Sequence, residues 1–440
     1  MTIHQHITEL IGDTPLLRLD PAVHRLEGVE LYAKLESHNP FGSVKDRVAW
    51  AMLRDELTTL RAEQRTLIEA SSGNTAKALR ILGAIHGIGL RAMTNRIKVG
   101  EVRDLLRLFD TDIVELPGLS ECPDPTTPND VYSAIDAAMA AEPDRFRHLS
   151  QYTSEKNITA HHDGTGREIH DDLTAAGISR LDYLFGGLGT TGSSRGAGSY
   201  LRTYHPALRT VAVVSERADF IPGIRSEREM WEVGLFRPDF YDEIVTIESG
   251  PAIESTLELA TGYGVLAGPT SGAAYAAARR VLSRSDRPPD EPVVAVIIVC
   301  DRLEPYLSYI KQRRPDLFEH AGEYRRAPVA DIVAAPSLTP AELSTLAESD
   351  RPVIVDTRGA MAYRVAHIPG AVNIPDDRLT ELFAHGTPFS RAYPVVFTCP
   401  TGDISRQFTA SARRTGHTAF SLDGGIAGWR AAGHPLERGG

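Results

Sequence analysis

The chain has 440 residues, and its 47 Lys and Arg against 58 Asp and Glu give a formal net charge of −11. With 42% hydrophobic and 24% charged residues, its composition is that of a globular protein, and its length suggests two or three domains. The acidic balance disfavours binding to nucleic acid or to an anionic membrane. No stretch approaches the roughly 20 apolar residues of a membrane-spanning helix, and the first residues lack a secretory pattern, so we expect a cytoplasmic protein without nucleic-acid or membrane partners.

The three cysteines, Cys122, Cys300 and Cys399, lie far apart in the sequence. Their odd number and their spacing match neither a disulfide framework nor a zinc cluster, so we expect reduced thiols and no metal site. Cys300 ends an apolar run and is expected in the core, whereas Cys122 receives no role.

In chain order, the first predicted strand covers residues 29–36, and Gly-Ser-Val-Lys-Asp-Arg at 42–47 opens a helix. Ser43 is the predicted N-cap of this helix, and apolar residues recur from Val44 to Leu60 at three- to five-residue spacing, which predicts one helical face. Further strands, apolar on both faces, are predicted over 181–185, 210–214 and 293–300. Such strands alternating with helices indicate an α/β fold with parallel sheets covered by helices on both sides.

The pattern changes near residue 320. A polar run is followed by Pro328, Pro336 and Pro340, which predicts a linker. Strand–helix alternation then resumes, with predicted strands at 353–356 and 395–398. The sequence therefore predicts a large domain at 1–322, a linker at 323–345 and a small domain at 346–440.

Four segments of the large domain place glycines, hydroxyls or a lysine where loops follow strands: 38–47, 69–75, 186–193 and 268–273. In the first, Lys45 stands at a helix start, where the helix dipole lowers the pKa of an amine, as attack on a carbonyl group requires. The second segment can hold a carboxylate or simply cap its helix. The third is either a phosphate-binding loop or a plain glycine-rich turn, and it lacks the Gly-Lys-Ser/Thr ending that ATP-binding loops have.

These segments, with Ile-Thr-Glu-Leu-Ile-Gly-Asp-Thr-Pro-Leu at 7–16, occur in the order found in a known family. Over about residues 5–315 the chain resembles the cysteine synthase and cystathionine β-synthase group of pyridoxal-phosphate enzymes, of fold type II. The resemblance implies two open, twisted α/β subdomains, pyridoxal 5′-phosphate as cofactor, a small amino-acid substrate and a homodimer.

The resemblance also implies roles for individual residues. Lys45 would form the Schiff base with the cofactor and take the α-proton of the substrate. Asn74 would hydrogen-bond the 3′ oxygen of the cofactor, and Thr270 would face the pyridine nitrogen with a neutral hydroxyl. The residues implied around the cofactor phosphate are Gly189, Thr190, Thr191, Gly192 and Ser193. Those implied around the substrate carboxylate are Ser71, Ser72, Thr75 and Gln151.

Two departures from the family pattern bear on the substrate. Thr191 stands where most sulfhydrylases have glycine, in a form similar to enzymes that join O-phosphoserine to an amine. Arg225 stands in a loop that commonly reads Gly-Ile-Gly, and the segment 224–241 is similar to enzymes that use O-phosphoserine and a protein-borne sulfur donor. Arg225 is therefore a candidate ligand of a phosphate leaving group, with a solvated surface arginine as the alternative.

The small domain resembles the rhodanese family in Val-Ile-Val-Asp-Thr-Arg at 353–358, His-Ile-Pro-Gly at 367–370 and Gly-Gly-Ile-Ala-Gly-Trp at 424–429. Cys399 lies where a predicted strand runs into a helix and where that family keeps its catalytic cysteine. A tight loop at a helix N-terminus points N–H groups at the sulfur and stabilises a thiolate or persulfide. The loop has Asp403 and no basic residue, so we expect thiosulfate to be a poor donor, and a purely regulatory role is the alternative.

The combined prediction is β-replacement on an activated serine, O-phosphoserine or O-acetylserine, giving cysteine or a related amino acid. The donor would be sulfide, a persulfide or a sulfur-carrier protein, with sulfur relayed through Cys399. The alternatives are a cysteine β-lyase that releases sulfide, a 2,3-diaminopropionate-type synthase that uses an amine nucleophile, and a non-enzymatic sulfur-sensing module.

Overall fold

The chain divides into two compact units, Met1–Pro315 and Asp316–Gly440. Each alternates strands with helices, which confirms the α/β prediction. The computed structural model describes residues 3–439 except 72, 95–98, 117–130, 218, 285–290, 319–326 and 350. No helix within these described ranges is both long and apolar enough to cross a membrane.

The strands of the first unit are β1 (Leu16–Arg18), β2 (Val29–Leu35), β3 (Thr66–Ala70), β4 (Leu90–Thr94), β5 (Asp112–Glu115), β6 (Phe146–His148), β7 (Tyr183–Gly187), β8 (Arg209–Ser215), β9 (Glu243–Ile247) and β10 (Val293–Val299). Its helices are α1 (Pro21–His24), α2 (Lys45–Leu53), α3 (Leu57–Ala62), α4 (Asn74–Ile85), α5 (Gly100–Leu108), α6 (Val131–Ala141), α7 (Glu155–Ala160), α8 (Arg167–Ala175), α9 (Gly192–Tyr204), α10 (Ser249–Tyr263), α11 (Pro269–Leu282) and α12 (Leu307–Arg313).

The larger sheet of this unit has the strand order β1-β2-β10-β7-β8-β9, and its strands are parallel except β1, which is antiparallel to β2. Helices cover both of its faces, because α10 and α11 share one apolar core with it and α8 and α9 share another. Every residue of β10 is buried, as expected for a central strand of a doubly covered parallel sheet.

A smaller parallel sheet has the order β5-β4-β3-β6. Residues of α2, α4 and α5 pack on one of its faces, and α6 packs on the other. The two sheets are the two α/β subdomains that the resemblance implies.

The second unit contains strands β11 (Ser337–Leu338), β12 (Val353–Asp356), β13 (Val372–Asn373), β14 (Val395–Thr398) and β15 (Ala419–Leu422) in one parallel sheet, ordered β11-β15-β14-β12-β13. Its helices are α13 (Val329–Val333), α14 (Pro340–Ser349), α15 (Ala360–Val365), α16 (Asp376–His385), α17 (Asp403–Arg414) and α18 (Gly425–Ala431). Alternate residues of the central strands enter two different cores, so Ile354 packs near α14 and α18 whereas Val355 packs near α16 and α17.

The prolines that predict a linker serve the fold of the second unit instead. Pro328 is the N-cap of α13, Pro340 begins α14, and β11 between these helices pairs with β15. Proline fits the first turn of a helix because the N–H that it lacks has no partner there. The described part of 323–345 therefore belongs to the sheet and helices of this unit.

The helix predicted to start at Ser43 is shorter than expected. It ends at Leu53, and Leu57 and Leu60 belong to the separate helix α3. Its N-cap is Val44 rather than Ser43, although the N–H of Lys45 donates to Ser43 Oγ at 3.2 Å.

A buried group of charges anchors α2 to its surroundings. Arg47 donates to both carboxylate oxygens of Glu36 at 2.7 and 2.9 Å and to both of Glu168 at 2.7 and 2.6 Å. Lys34 Nζ lies 3.0 Å from Glu168. Burial alone would raise the pKa of Glu168, but the hydrogen bonds and charge of Arg47 lower it to about 2. The first turn of α2 is therefore fixed between two carboxylates.

Candidate active site

A cavity of about 310 Å³ lies where the strands of both sheets of the first unit end at their carboxyl sides. Ligands of α/β proteins commonly bind at this edge. It is lined by these predicted site residues: Lys45, Ser71, Asn74, Thr75, Gln151, Gly189, Thr190, Thr191, Ser193, Arg225 and Thr270. Gly192 begins α9 between two of them. Ser72 lies outside the described residues, and Cys399 belongs to the second unit.

Lys45 is the first residue of α2 and its half-buried side chain lines the cavity. Burial lowers the pKa of this amine, which is the predicted direction. Nearby Asp301, Asp46 and Glu36 act in the opposite sense. The Cys300 thiol adds no charge near neutral pH, because burial raises its pKa to about 12.

The segment between β3 and α4 is held by its own side chains. Thr75 donates to Gln151 Oε1 at 2.6 Å, and Gln151 Nε2 donates to the carbonyl of Ala70 at 3.2 Å. Ser71 Oγ accepts the N–H of Ala76 at 3.2 Å, so it caps the first turn of α4. This arrangement leaves hydroxyl and amide groups around a helix N-terminus, which attracts a carboxylate.

The loop from β7 to α9 has the features of a phosphate site. Thr191, the N-cap of α9, has φ 67° and ψ −7°, in the left-handed region that a β-branched residue rarely adopts. Its side chain is 1% exposed, and Thr191 Oγ1 makes no close hydrogen bond among the described residues, although it interacts weakly with the Tyr241 hydroxyl. A buried hydroxyl without a close partner, at the start of a thirteen-residue helix, fits an anionic group of the cofactor.

Close packing explains why residue 189 is glycine. A Cβ built there would lie 2.5 Å from the carbonyl oxygen of Gly223, so the two loops approach too closely for any larger residue. Thr190 is positioned from the other side, because Asn157 Nδ2 donates to its hydroxyl at 3.0 Å.

Thr270 is the second residue of α11, and its hydroxyl donates to the carbonyl of Pro222. The hydroxyl has a single hydrogen, so it can serve either that carbonyl or a pyridine nitrogen at one time. Arg225, from the loop after β8, also lines the cavity, with its guanidinium carbon 5.2 Å from the centre of the Tyr152 ring.

Among the lining residues that sequence reasoning did not assign to the site, Cys300, Asp301 and Tyr306 form one neighbouring group. Cys300 belongs to a buried core cluster, as predicted, but it also lines the cavity. Asp301 follows it, and Asn74 Nδ2 donates to Asp301 Oδ2 at 2.6 Å while the Tyr306 hydroxyl donates to the same oxygen. An aspartate after a strand is too common in sequences to have indicated this arrangement.

In the second unit, Cys399 lies between β14 and α17 and is 1% exposed. Its sulfur accepts the N–H of Gly402 at 3.1 Å and lies 3.4 Å from Ser405 Oγ. Across the described loop, one N–H contacts the sulfur, fewer than the predicted ring of donors. Arg358 and Arg430 line a shallow depression beside Pro400, so basic residues near this loop come from other segments. No group of three or more His, Cys, Asp or Glu in the part of the chain that the structure describes is placed to hold a metal ion.

Comparisons with known proteins find a separate match for each of the two units. The description "Pyridoxal-phosphate dependent enzyme" matches residues 7–301, and "Rhodanese-like domain" matches residues 339–432. Cysteine synthase B of Salmonella typhimurium is 32% identical over 313 residues, covering 69% of this chain and 94% of the relative. O-ureido-L-serine synthase of Streptomyces lavendulae is 30% identical over 318 residues, covering 70% and 92%. The structure of a hydrogen sulfide-producing enzyme from Fusobacterium nucleatum aligns with a TM-score of 0.61 at 25% identity, covering 69% of this chain and 100% of that one.

The family match and the cysteine synthase relatives show that this is an enzyme that uses pyridoxal phosphate, and the cavity contains a lysine at a helix start with loops suited to anions. The chain belongs to the pyridoxal-phosphate dependent enzyme family; it is a cysteine synthase-like enzyme with a C-terminal rhodanese-like domain.

Proposed function

We propose that the chain catalyses β-replacement on O-phosphoserine or O-acetylserine, giving cysteine or a related amino acid, with sulfur relayed through Cys399. The observation that carries the proposal is one cavity that combines Lys45, a loop suited to a carboxylate and the cation Arg225. The cysteine synthases among the relatives support the reaction class.

Different residues of the cavity have different roles in this reaction. Pyridoxal phosphate, when bound, supplies an electron sink that acidifies the α-hydrogen and allows the β-substituent to leave. Ser71 and Thr75 at the start of α4 hold the substrate carboxylate. Lys45 accepts the α-proton on Nζ, and burial keeps part of this amine neutral for that purpose. The phosphate of the cofactor would be held by residues 189–193, including the buried hydroxyl of Thr191, which makes no close hydrogen bond among the described residues.

Arg225 favours O-phosphoserine over O-acetylserine as the first substrate. A guanidinium beside the cavity can bind a departing phosphate through paired hydrogen bonds, whereas acetate presents a smaller charge. The stack of Arg225 on Tyr152 restricts where that cation can move.

The sulfur relay requires two steps at Cys399. In loading, the Cys399 thiolate attacks the outer sulfur of a donor persulfide, the donor S–S bond breaks, and the donor thiol leaves. In unloading to sulfide, two equivalents of a small thiol are oxidised to a disulfide and Cys399 returns to the thiol. Covalent fusion of the two units raises the local concentration of released sulfur to roughly millimolar.

The names of two of the similar proteins correspond to two alternative reactions. A hydrogen sulfide-producing relative corresponds to a β-lyase, and the O-ureido-L-serine synthase corresponds to a non-sulfur nucleophile. The N–H of Gly402 on the Cys399 sulfur favours a sulfur nucleophile, because this contact stabilises a thiolate or persulfide and has no use in amine transfer.

The test compares wild type with Cys399→Ser, using O-phosphoserine and either free sulfide or a small persulfide with excess thiol. We expect the variant to match wild type with free sulfide and, with the persulfide, to form product only at the rate at which the thiol releases sulfide without enzyme, whereas wild type should exceed that rate. Mass spectrometry should find one added sulfur atom on the peptide of wild-type Cys399, with the peptides of Cys122 and Cys300 as internal controls. Equal rates with both donors and no adduct would remove the relay from the proposal.

The reaction itself is tested separately. Lys45→Ala should abolish turnover with either ester, since the amine that accepts the α-proton is gone. Release of sulfide from cysteine by wild type, without synthesis of cysteine from either ester, would establish the lyase instead.

A further inference from the structure

Asp301 occupies a central position in the wall of the cavity. It follows β10 directly, and its backbone pairs with Ser43 in an isolated antiparallel bridge, two residues before Lys45. Its side chain is 5% exposed and lines the cavity. A carboxylate placed here lies beside the first turn of the helix that carries Lys45.

One oxygen of this carboxylate accepts hydrogen bonds from two side chains. Asp301 Oδ2 accepts from Asn74 Nδ2 at 2.6 Å and from the hydroxyl of Tyr306, and Asn74 Nδ2 also donates to the Tyr306 oxygen at 3.3 Å. These contacts fix which end of the Asn74 amide is the nitrogen, because an amide oxygen facing Asp301 would repel it. The orientation of Asn74 is therefore determined by Asp301 and Tyr306 together.

The other oxygen of the Asp301 carboxylate is buried in a tightly packed position. Asp301 Oδ1 is buried and has no hydrogen-bond partner within the described part of the chain. A Cβ on Gly268 would lie 2.1 Å from it, so only glycine leaves room for the carboxylate at this point. A buried carboxylate oxygen without a donor is costly unless a nearby charge compensates it.

The compensating charges are Lys77 and Lys45. Burial raises the pKa of Asp301, and Tyr306, Lys77, Asn74 and Lys45 oppose this effect only in part. The relation is reciprocal, because Asp301 is among the groups that raise the pKa of Lys45 against the effect of burial. The groups that act on Lys45 from the elements around it are Cys300, Asp301, Asp46 and Glu36.

We propose that Asp301 is a positioning residue of the cofactor site, which orients the amide of Asn74 and provides the counter-charge of the Lys45 ammonium. The proposal applies to any reaction of this cavity, so it stands or falls independently of the leaving group, the nucleophile and the sulfur relay.

The first experiment measures Lys45 itself in the full-length protein freed of cofactor. Trace acetylation over a range of pH, read by mass spectrometry of the Lys45 peptide, gives the titration of this amine. Asp301→Asn should lower the midpoint by about one pH unit, so that labelling below the midpoint rises about tenfold while the plateau at high pH stays unchanged. Exposed Lys156 serves as an internal reference in the same digest.

Two further variants keep this result interpretable. Glu304→Gln removes a neighbouring carboxylate that pairs with Arg302 at the surface, and it should leave the midpoint at the wild-type value. Tyr306→Phe keeps the charge of Asp301 but removes one donor, so it should lower the midpoint by less than Asp301→Asn. Midpoints that coincide in wild type, Asp301→Asn and Glu304→Gln would overturn the counter-charge role.

The second experiment tests the orientation of Asn74 through the affinity for pyridoxal phosphate, titrated by absorbance. Asp301→Asn should weaken binding at least about fivefold, because a donor at this position reverses the Asn74 amide. At a pH above the Lys45 midpoints of all variants, where the charge of Lys45 no longer differs between them, the same substitution should have no further effect in an Asn74→Ala background. Additive losses would show that Asp301 does not act through Asn74 and would overturn that part of the proposal.

Discussion

Replacing Thr191 by glycine should leave the stability of the cofactor-free protein nearly unchanged but should weaken the binding of pyridoxal phosphate. The left-handed backbone of Thr191 costs a non-glycine residue roughly 1–2 kcal/mol, which glycine relieves. Against this, glycine adds about 0.4–1 kcal/mol of chain entropy to the unfolded state and removes a buried methyl group worth about 1 kcal/mol. These contributions nearly cancel, so the stability of the cofactor-free protein should change by no more than about 1 kcal/mol.

Cofactor affinity should respond very differently. The buried hydroxyl of Thr191 makes no close hydrogen bond among the described residues beyond a weak interaction with Tyr241, and a phosphate oxygen would provide one. A hydrogen bond to a charged group contributes about 1.5–3 kcal/mol, so Thr191→Gly should raise the dissociation constant of pyridoxal phosphate roughly 10- to 150-fold. Absorbance titration of the cofactor-free protein measures this constant, and thermal unfolding without cofactor measures the first effect.

Thr191→Ser is the matched control for this experiment. It keeps the hydroxyl and removes only the methyl group, so its cofactor affinity should stay within about threefold of wild type. Affinity of Thr191→Gly equal to that of wild type would refute the assignment of the hydroxyl to the phosphate, whatever the stability of the variant.

Three further perturbations test other parts of the first unit. Arg225→Ala should raise the KM for O-phosphoserine by roughly tenfold or more and affect O-acetylserine far less, and equal effects in steady-state assays would contradict phosphate binding by this cation. Arg47→Met leaves the carboxylates of Glu36 and Glu168 facing each other in the interior, so thermal unfolding should show a melting temperature lower by about 5 °C or more; an unchanged value would mean that the charges are not coupled. Burial raises the pKa of Asp46 to about 7. Between about pH 4 and pH 7 the folded chain therefore holds a proton on Asp46 that the unfolded chain has released. The bound proton stabilises the folded state at low pH, and this stabilisation is lost as pH rises towards 7. The stability difference between wild type and Asp46→Asn should accordingly change by up to about 1.4 kcal/mol per pH unit in that interval, and a constant difference in denaturant titrations would contradict it.

The resemblance implied that Lys45, Asn74 and Thr270 share one site; Lys45 and Asn74 follow strands of the two sheets, whereas Thr270, expected after a strand, follows helix α10 instead. The carboxyl ends of such strands meet at one edge, so motifs distant in sequence become neighbours. The resemblance added what each residue does, which spacing alone could not provide. In the second unit, β12 and β14 have the predicted bounds, because short β-branched runs between turns admit few other conformations.

Other features depend on tertiary contacts that leave no local pattern. Asp301 meets Asn74 and Tyr306 only because β10 lies between β2 and β7, an order that strand-by-strand reading does not give. Pro328 and Pro340 suggested a linker, since proline at a helix start and proline in a loop look alike in sequence. The helix carrying Lys45 ends at Leu53 although the apolar spacing continues to Leu60, because the same spacing serves two short helices in succession.

The position of β10 has a consequence for how the protein is made. This strand leaves the ribosome last among the strands of the first unit, yet it lies between β2 and β7 in the finished sheet. At about 5–20 residues per second, synthesis from the end of β7 to the start of β10 takes roughly 5–20 s, during which the edges of β2 and β7 have no strand between them. Nascent chains that end before Val293 should therefore depend on chaperones, and both the sheet and the cavity around Lys45 can form only after Asp301 has emerged.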